Sequence, residues 1–226
     1  MSIMCSVYVP EGIVMATESR LTVNAVVKPN DGKPQSQTMF SISDNAQKIV
    51  LLNKVRVGIS ACGLAILDNK TIADYLRIFE IEEVREEDNV TDVAKKLQAY
   101  AFKFFPQVNF FVCGYDAEEP FVYSVNKELK RVNVDNGRIR YASSWSGEQE
   151  VIAKLLNSQP PTIINHNLMP LKDAIDFAEF LVDVTIKLQR FEPKVKTCGG
   201  DIDVLVLTKD TAFWQQHKIF KPAIRK

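Results

Sequence analysis

The chain is predicted to be an α+β protein, with two mainly antiparallel sheets packed face to face between helical layers. Three observations carry that prediction. Strand-like runs are joined by short hairpin turns, helical periodicities come in pairs, and the two kinds of segment alternate along the chain. The order is four strands, two helices, four strands, two helices and two strands. With 226 residues, 46% of them hydrophobic, there is material for one large core, and residues 1–226 are read as a single domain.

The opening runs, 3–9 and 12–17, are β-prone and are broken by Pro10-Glu11-Gly12, a hairpin. From Asn24 to Asp44 the composition turns polar, with Pro29, Gly32 and Pro34 around Asn30-Asp31. The stretch at about 24–43 is therefore an inserted loop or an excursion hairpin rather than core. Residues 47–52 and 55–62 form a second hairpin about Asn53-Lys54. The period then changes: Ala65, Leu67, Ile72, Leu76 and Phe79, then Val93, Leu97, Tyr100 and Phe104, recur at helical steps. The acidic run 80–88 separates these two helices as a solvated end, with Thr91 as candidate N-cap of the second. Strands follow at 108–115, 120–125, 129–134 and 138–145, a meander with turns at 116–119, Asn126-Lys127 and Asn136-Gly137. Helical periodicity returns over 148–157 and over 171–189, the latter behind Pro170, and strands at 202–208 and 212–216 end the pattern.

Lys plus Arg and Asp plus Glu each number 28, so the net charge is zero and no broad basic surface for nucleic acid or an acidic membrane is expected. Cys5, Cys62, Cys113 and Cys198 are scattered, mostly in apolar runs and without CxxC spacing, which suits reduced core thiols better than disulfides or zinc. His166 and His217 have no second ligand at metal spacing. The N-terminus has no basic start followed by an apolar stretch, and no run of about eighteen apolar residues occurs, so a cytoplasmic location is expected.

The residues that point to chemistry begin at the N-terminus. Removal of Met1, usual ahead of a small residue, would leave Ser2 carrying both a hydroxyl nucleophile and a free α-amine. Gly12 follows ten positions on, then Glu18 and Arg20. Further along stand Gln47-Lys48-Ile49, Ser60-Ala61-Cys62-Gly63, Cys113-Gly114-Tyr115-Asp116, Ser146-Gly147 and Cys198-Gly199-Gly200-Asp201-Ile202-Asp203. In this order and spacing the chain resembles the proteasome β-type subunits and related bacterial self-compartmentalising peptidases, members of the N-terminal nucleophile (Ntn) hydrolase superfamily. The likeness spans nearly the whole chain apart from 24–43.

The resemblance implies the four-layer αββα Ntn-hydrolase fold and a threonine-type peptidase chemistry run on serine. Ser2 is then the nucleophile, its proton taken by its own amine, whose intrinsic pKa is roughly 8. Lys48 sits beside it as a cation, Glu18 holds Lys48, and Ser146 hydrogen-bonds near the terminal amine. The backbone N–H groups near Cys62 and Gly63 form the oxyanion site. No metal and no organic cofactor is implied. The implied substrate is a peptide or unfolded protein, the implied assembly a homo-oligomeric ring, and an unfoldase partner follows by analogy only. Five positions differ from the family: Ser2 replaces the usual Thr, Glu18 an Asp, Cys62 a Gly, and Val195 and Cys198 stand where Asp and Ser are expected. Two other readings follow from these differences. One is a catalytically inactive ring-forming subunit; the other is an Ntn amidohydrolase acting on small non-protein amides.

Cys5 as a nucleophile exposed after Met4 would leave seven residues to Gly12, too few for the family spacing, so it is read as core. Ser146-Gly147 also reads as a helix N-cap ahead of Glu148.

Overall fold

A computed structural model describes residues 2–27, 36–64, 66–67, 69–102 and 107–219. It is an α+β protein. β1 (Ile3–Val9) and β2 (Gly12–Thr17) form the opening hairpin, and β3 (Leu21–Val27) pairs with β4 (Ser36–Ser43) in a separate two-stranded excursion. Of the two readings left open for the polar insert, this is the hairpin; it begins at Leu21, and its tip at 28–35 lies outside the described residues. β5 (Ile49–Leu52) and β6 (Val57–Cys62) form the next hairpin, followed by the short pair β7 (Ile66–Leu67) and β8 (Lys70–Thr71).

The first helix, α1 (Ile72–Glu82), starts later than the periodicity suggests, because Ile66 and Leu67 are spent on the short pair. Thr71 then caps it, accepting from the Asp74 N–H at 3.2 Å. Its partner α2 (Val90–Phe102) is capped by Asn89, not Thr91. The Asn89 side chain accepts from the Asp92 N–H at 2.9 Å, while the Asp92 carboxylate reaches back to the Asn89 N–H at 3.4 Å. Thr91 is already helical, and its hydroxyl bonds the Tyr123 hydroxyl instead. The expected helical residues Ala65 and Phe104 lie outside the described residues.

β9 (Asn109–Asp116), β10 (Glu119–Val125) and β11 (Leu129–Arg131) meander as expected, but the meander stops there. The expected strands 129–134 and 138–145 are each broken, giving β11, β12 (Val134–Asp135), β13 (Arg138–Ile139) and β14 (Ala142–Gly147). Asn133 is the cause. It is fully buried, and its side chain takes the Val122 N–H at 3.1 Å and gives to the Pro120 carbonyl at 2.7 Å, occupying groups a longer ladder would use. The chain then turns at Asn136-Gly137, both at positive φ, and β14 crosses to the other sheet. α3 (Glu150–Leu156), a 3₁₀ turn (His166–Leu168), α4 (Leu171–Gln189), β15 (Asp203–Leu207) and β16 (Ala212–Gln216) complete the order.

Two five-stranded antiparallel sheets result, ordered β14-β1-β2-β15-β16 and β11-β10-β9-β6-β5. Each strand's alternating side chains serve two cores. On β1, Met4 and Tyr8 join Ile13, Met15, Phe111 and Val122 in a cluster between the sheets. Ile3, Cys5, Val7 and Val9 face the other way, against Ala174, Ala178, Leu181 and Val182 of α4. A third cluster packs Leu76, Phe79, Val93 and Leu97 of α1 and α2 on Leu52, Ile59 and Val112 of the second sheet. Each large apolar side chain so buried contributes roughly 1.5–3 kcal/mol relative to exposure. Ala174 and Ala178, one turn apart, let α4 approach closely enough for the Cys5 thiol to donate to the Ala178 carbonyl at 3.4 Å. Among the described residues no helix is long and apolar enough to cross a membrane.

Candidate active site

The opening hairpin decides where the chemistry lies. Its register, Met4 opposite Thr17, carries Ser2 at one end and Glu18 at the other to the same end of the first sheet. Lys48 immediately precedes β5 in the second sheet, where its carbonyl accepts from the Ala61 N–H at 3.0 Å. Ser2, Glu18 and Lys48 therefore meet where the ends of the two sheets come together. All three are buried, at 4%, 0% and 2% exposure.

Lys48 Nζ donates to Ser2 Oγ at 2.9 Å and to the Arg20 carbonyl at 2.5 Å, and it is ion-paired with Glu18 Oε1. An ammonium has three N–H bonds, and each has an acceptor. The other carboxylate oxygen, Glu18 Oε2, accepts from the Arg20 N–H at 2.6 Å and the Gly199 N–H at 3.2 Å. Such a carboxylate is held on both oxygens and cannot swing away from the lysine.

A second tier holds this arrangement. The Arg20 guanidinium makes a two-pronged ion pair with Asp44, Nε to Oδ1 at 2.6 Å and Nη2 to Oδ2 at 2.8 Å. Hydrogen bonding to Arg20 holds the Asp44 carboxyl below the usual carboxylate range, and the same pairing raises Arg20. A Cβ on Gly199 would lie 2.5 Å from the guanidinium carbon, so any side chain there would have to displace Arg20 from its place. Ser19 N–H donates to the Gly199 carbonyl at 2.9 Å and Ser19 Oγ to the Asp201 carbonyl at 2.5 Å.

On the other side of Ser2 lies the end of β14. The Glu148 N–H donates to the Ser2 carbonyl at 2.8 Å, and Gly147, at φ +103°, has no room for a Cβ, which would overlap that carbonyl. Ser146 stands opposite Met4 in the ladder, and among the described residues its hydroxyl bonds Cys62, whose Sγ donates at 3.4 Å, rather than Ser2. Nor does Ser146 cap α3: that position is Gln149, without a side-chain cap bond. Cys62 ends β6 and is buried; burial raises its thiol pKa, and proximity to Lys48 partly offsets the rise. Gly63 follows at φ +117°, packed against the Gln107 carbonyl. Met1 lies outside the described residues.

The remaining sequence candidates sort as follows. Cys5 faces α4 with its pKa pushed up to about 12 by burial. Val195 is 47% exposed on the segment after α4. Cys198 is buried, and its N–H, like that of Thr197, donates to Gln189 Oε1 at 3.0 Å. Thr197 Oγ1 in turn donates to Glu148 Oε1 at 2.8 Å. This Gln189–Thr197–Glu148 relay ties the segment carrying Gly199 to the residue that holds the Ser2 carbonyl. Sequence reasoning did not find it, nor Asp44, since neither lies near its partners in the chain. Among the described residues no group of three or more His, Cys, Asp or Glu could hold a metal ion.

No protein-family model matches this chain, and no curated protein is significantly similar to it.

Proposed function

We propose that this chain is a proteasome-like Ntn hydrolase, the peptidase subunit of a self-compartmentalising ring, with Ser2 as nucleophile once Met1 is removed. In this reading the two sheets and their flanking helices are the four-layer αββα sandwich of that superfamily. The observation that carries the proposal is the buried Lys48 ammonium, donating to Ser2 Oγ at 2.9 Å while paired with Glu18.

The chemistry follows from that placement. Lys48 is committed as a donor to all three of its acceptors, so it stabilises negative charge on Ser2 Oγ without accepting the proton. A freed Ser2 amine takes the proton, directly or through one water, and later returns it to the leaving amine. Serine Oγ attacks the scissile carbonyl, the C–N bond breaks to an acyl-enzyme, and water releases the acid. Backbone N–H groups at Cys62 and Gly63 receive the oxyanion, a contribution of roughly 3–4 kcal/mol per donor in enzymes of this type. The substrate is a peptide or unfolded protein, selected by entry into a ring-enclosed chamber in the cytoplasm. An unfoldase that feeds the ring follows by analogy.

One observation favours a second reading, a ring-forming subunit without activity. Val195, where the family pattern has an acid, is half exposed and apolar, so it offers the amine no hydrogen bond. The discriminating experiment is intact and peptide-level mass spectrometry of untagged protein before and after a β-lactone acylating probe, with Ser2→Ala as control. Loss of Met1 and a stoichiometric adduct on the peptide beginning at Ser2, absent from the control, is the expected result. A free Ser2 that never acylates would overturn the peptidase reading and leave the scaffold.

A further inference from the structure

The first sheet ends at β14, and that edge is open. Among the described residues no strand pairs with its outer side; its strongest contacts are with β1 and the 3₁₀ turn. The register identifies which groups face outward. The Glu148 N–H to Ser2 carbonyl bond makes that pair, and hence every second pair along the ladder, the hydrogen-bonded one. Ser146, Ser144 and Ala142 therefore bond β1, while the N–H and C=O of Ser143 and Trp145 point away from the sheet. Such unpaired edges are templates for a further strand.

The two faces of this edge open onto different cavities. One, of about 490 Å³, lies between the sheets and is lined by Tyr8, Lys130, Arg140 and Ser144. Arg131 there is committed to Glu119, but Lys130 and Arg140 have no ion-pair partner among the described residues, and Asp135 is the one acid in the lining. The other, of about 350 Å³, lies on the helix side, where Trp145 and Ile163 stand among polar groups that include Arg140, Asn157, Thr162 and His166, with Ile163 89% exposed. A strand laid along β14 would send successive side chains alternately into these two cavities.

We propose that the open edge of β14 docks an extended segment of a partner protein in which acidic and apolar side chains alternate. The backbone of that segment pairs with Ser143 and Trp145, its acids meet Lys130 and Arg140, and its apolar side chains cover Trp145 and Ile163. Charge complementarity selects this occupant: Lys130 and Arg140, neither ion-paired among the described residues, line the cavity between the sheets, and on the other face Ile163, 89% exposed, is the apolar side chain left to cover. Tyr8 lies six residues along β1 from Ser2, about 20 Å at strand spacing, so the charged half of this site is separate from the candidate active site. The inference does not rest on the peptidase reading.

The test is fluorescence anisotropy of a labelled octapeptide of alternating Glu and Val, titrated with the full chain as wild type and as Ser2→Ala. Saturable binding of equal affinity to both is expected, weakened at least tenfold by Lys130→Glu/Arg140→Glu and by replacing Glu with Lys in the peptide. Ser143→Pro removes one outward donor without touching the β1 ladder, and a tenfold loss is expected there too. Should that variant fail to fold, N-methylation of alternate peptide amides supplies the same test on the wild-type protein. Absence of saturable binding, or affinity unchanged by these substitutions, overturns the proposal. So does sedimentation showing that the chain self-associates and that Ser143→Pro makes it monomeric, since the edge is then occupied by a second copy.

Discussion

Replacing Lys48 with Met is the sharpest probe of the buried cluster, because it removes a charge and leaves the volume nearly unchanged. Glu18 remains, fully buried, with two backbone N–H donors on Oε2 and nothing on Oε1. Ser2 Oγ and the Arg20 carbonyl each lose a donor as well. Breaking one side of a buried ion pair costs about 3–5 kcal/mol, and the two additional orphaned acceptors place this case in the upper half of that range. In a domain of this size that is a fall in Tm of roughly 8–20 °C. The double variant Glu18→Leu/Lys48→Met removes both charges and is expected to recover much of the loss. Urea unfolding followed by fluorescence of Trp145 and Trp214 measures all three proteins. A loss below about 1 kcal/mol for Lys48→Met would contradict burial of an uncompensated carboxylate, and a double variant no better than the single would show that the two residues are not coupled.

Gly147→Ala forces a Cβ into the Ser2 carbonyl from a backbone at φ +103°, and a loss of about 1–3 kcal/mol together with slower Ser2 acylation is expected in thermal unfolding and probe-labelling assays. Asp44 has its pKa lowered by Arg20, so its contribution is present above the unfolded value of about 3.9 and is lost as pH falls through the folded value. The stability difference between wild type and Asp44→Asn should accordingly be seen near neutrality and close in acid, remaining modest throughout because Asp44 is nearly half exposed. Burial pushes the Cys5 and Cys113 thiols up to about 12, so iodoacetamide at pH 8 should label neither in the native protein and both after urea unfolding.

The hairpins at Pro10-Glu11 and Asn136-Gly137, and the periodic helices α1, α2 and α4, were legible because each is decided by neighbours in the chain. The same holds for Ser2 and Glu18, which a single hairpin brings to one end of a sheet. The transfer of β14 to the first sheet was not legible, since it depends on Asn133 satisfying Val122 and Pro120 across the meander. Asp44 read only as part of a polar insert, and nothing local reveals that it clamps Arg20, 24 residues away. Gln189 looked like an ordinary helix end; its side-chain oxygen Oε1 instead collects two N–H groups from the segment that positions Gly199.

The division of labour around Ser2 gives the N-terminal methionine a defined consequence. Glu18 is one methylene longer than the expected acid, yet it does not push Lys48 aside: Oε2 is pinned by two backbone N–H groups and Oε1 reaches the lysine. Lys48 Nζ has an oxygen partner for each of its three N–H bonds, so as an ammonium it serves as a donor. In the proposed mechanism the proton of Ser2 Oγ therefore goes to another base, and a peptide nitrogen cannot serve. A chain that keeps Met1 should thus fold with the same unfolding transition and the same Lys48–Ser2 contact, but should not acylate. Treating such protein with methionine aminopeptidase should restore β-lactone labelling in proportion to the Ser2 termini counted by mass spectrometry. Labelling of Ser2 in protein that retains Met1 would assign the proton to Lys48 and refute the role of the amine.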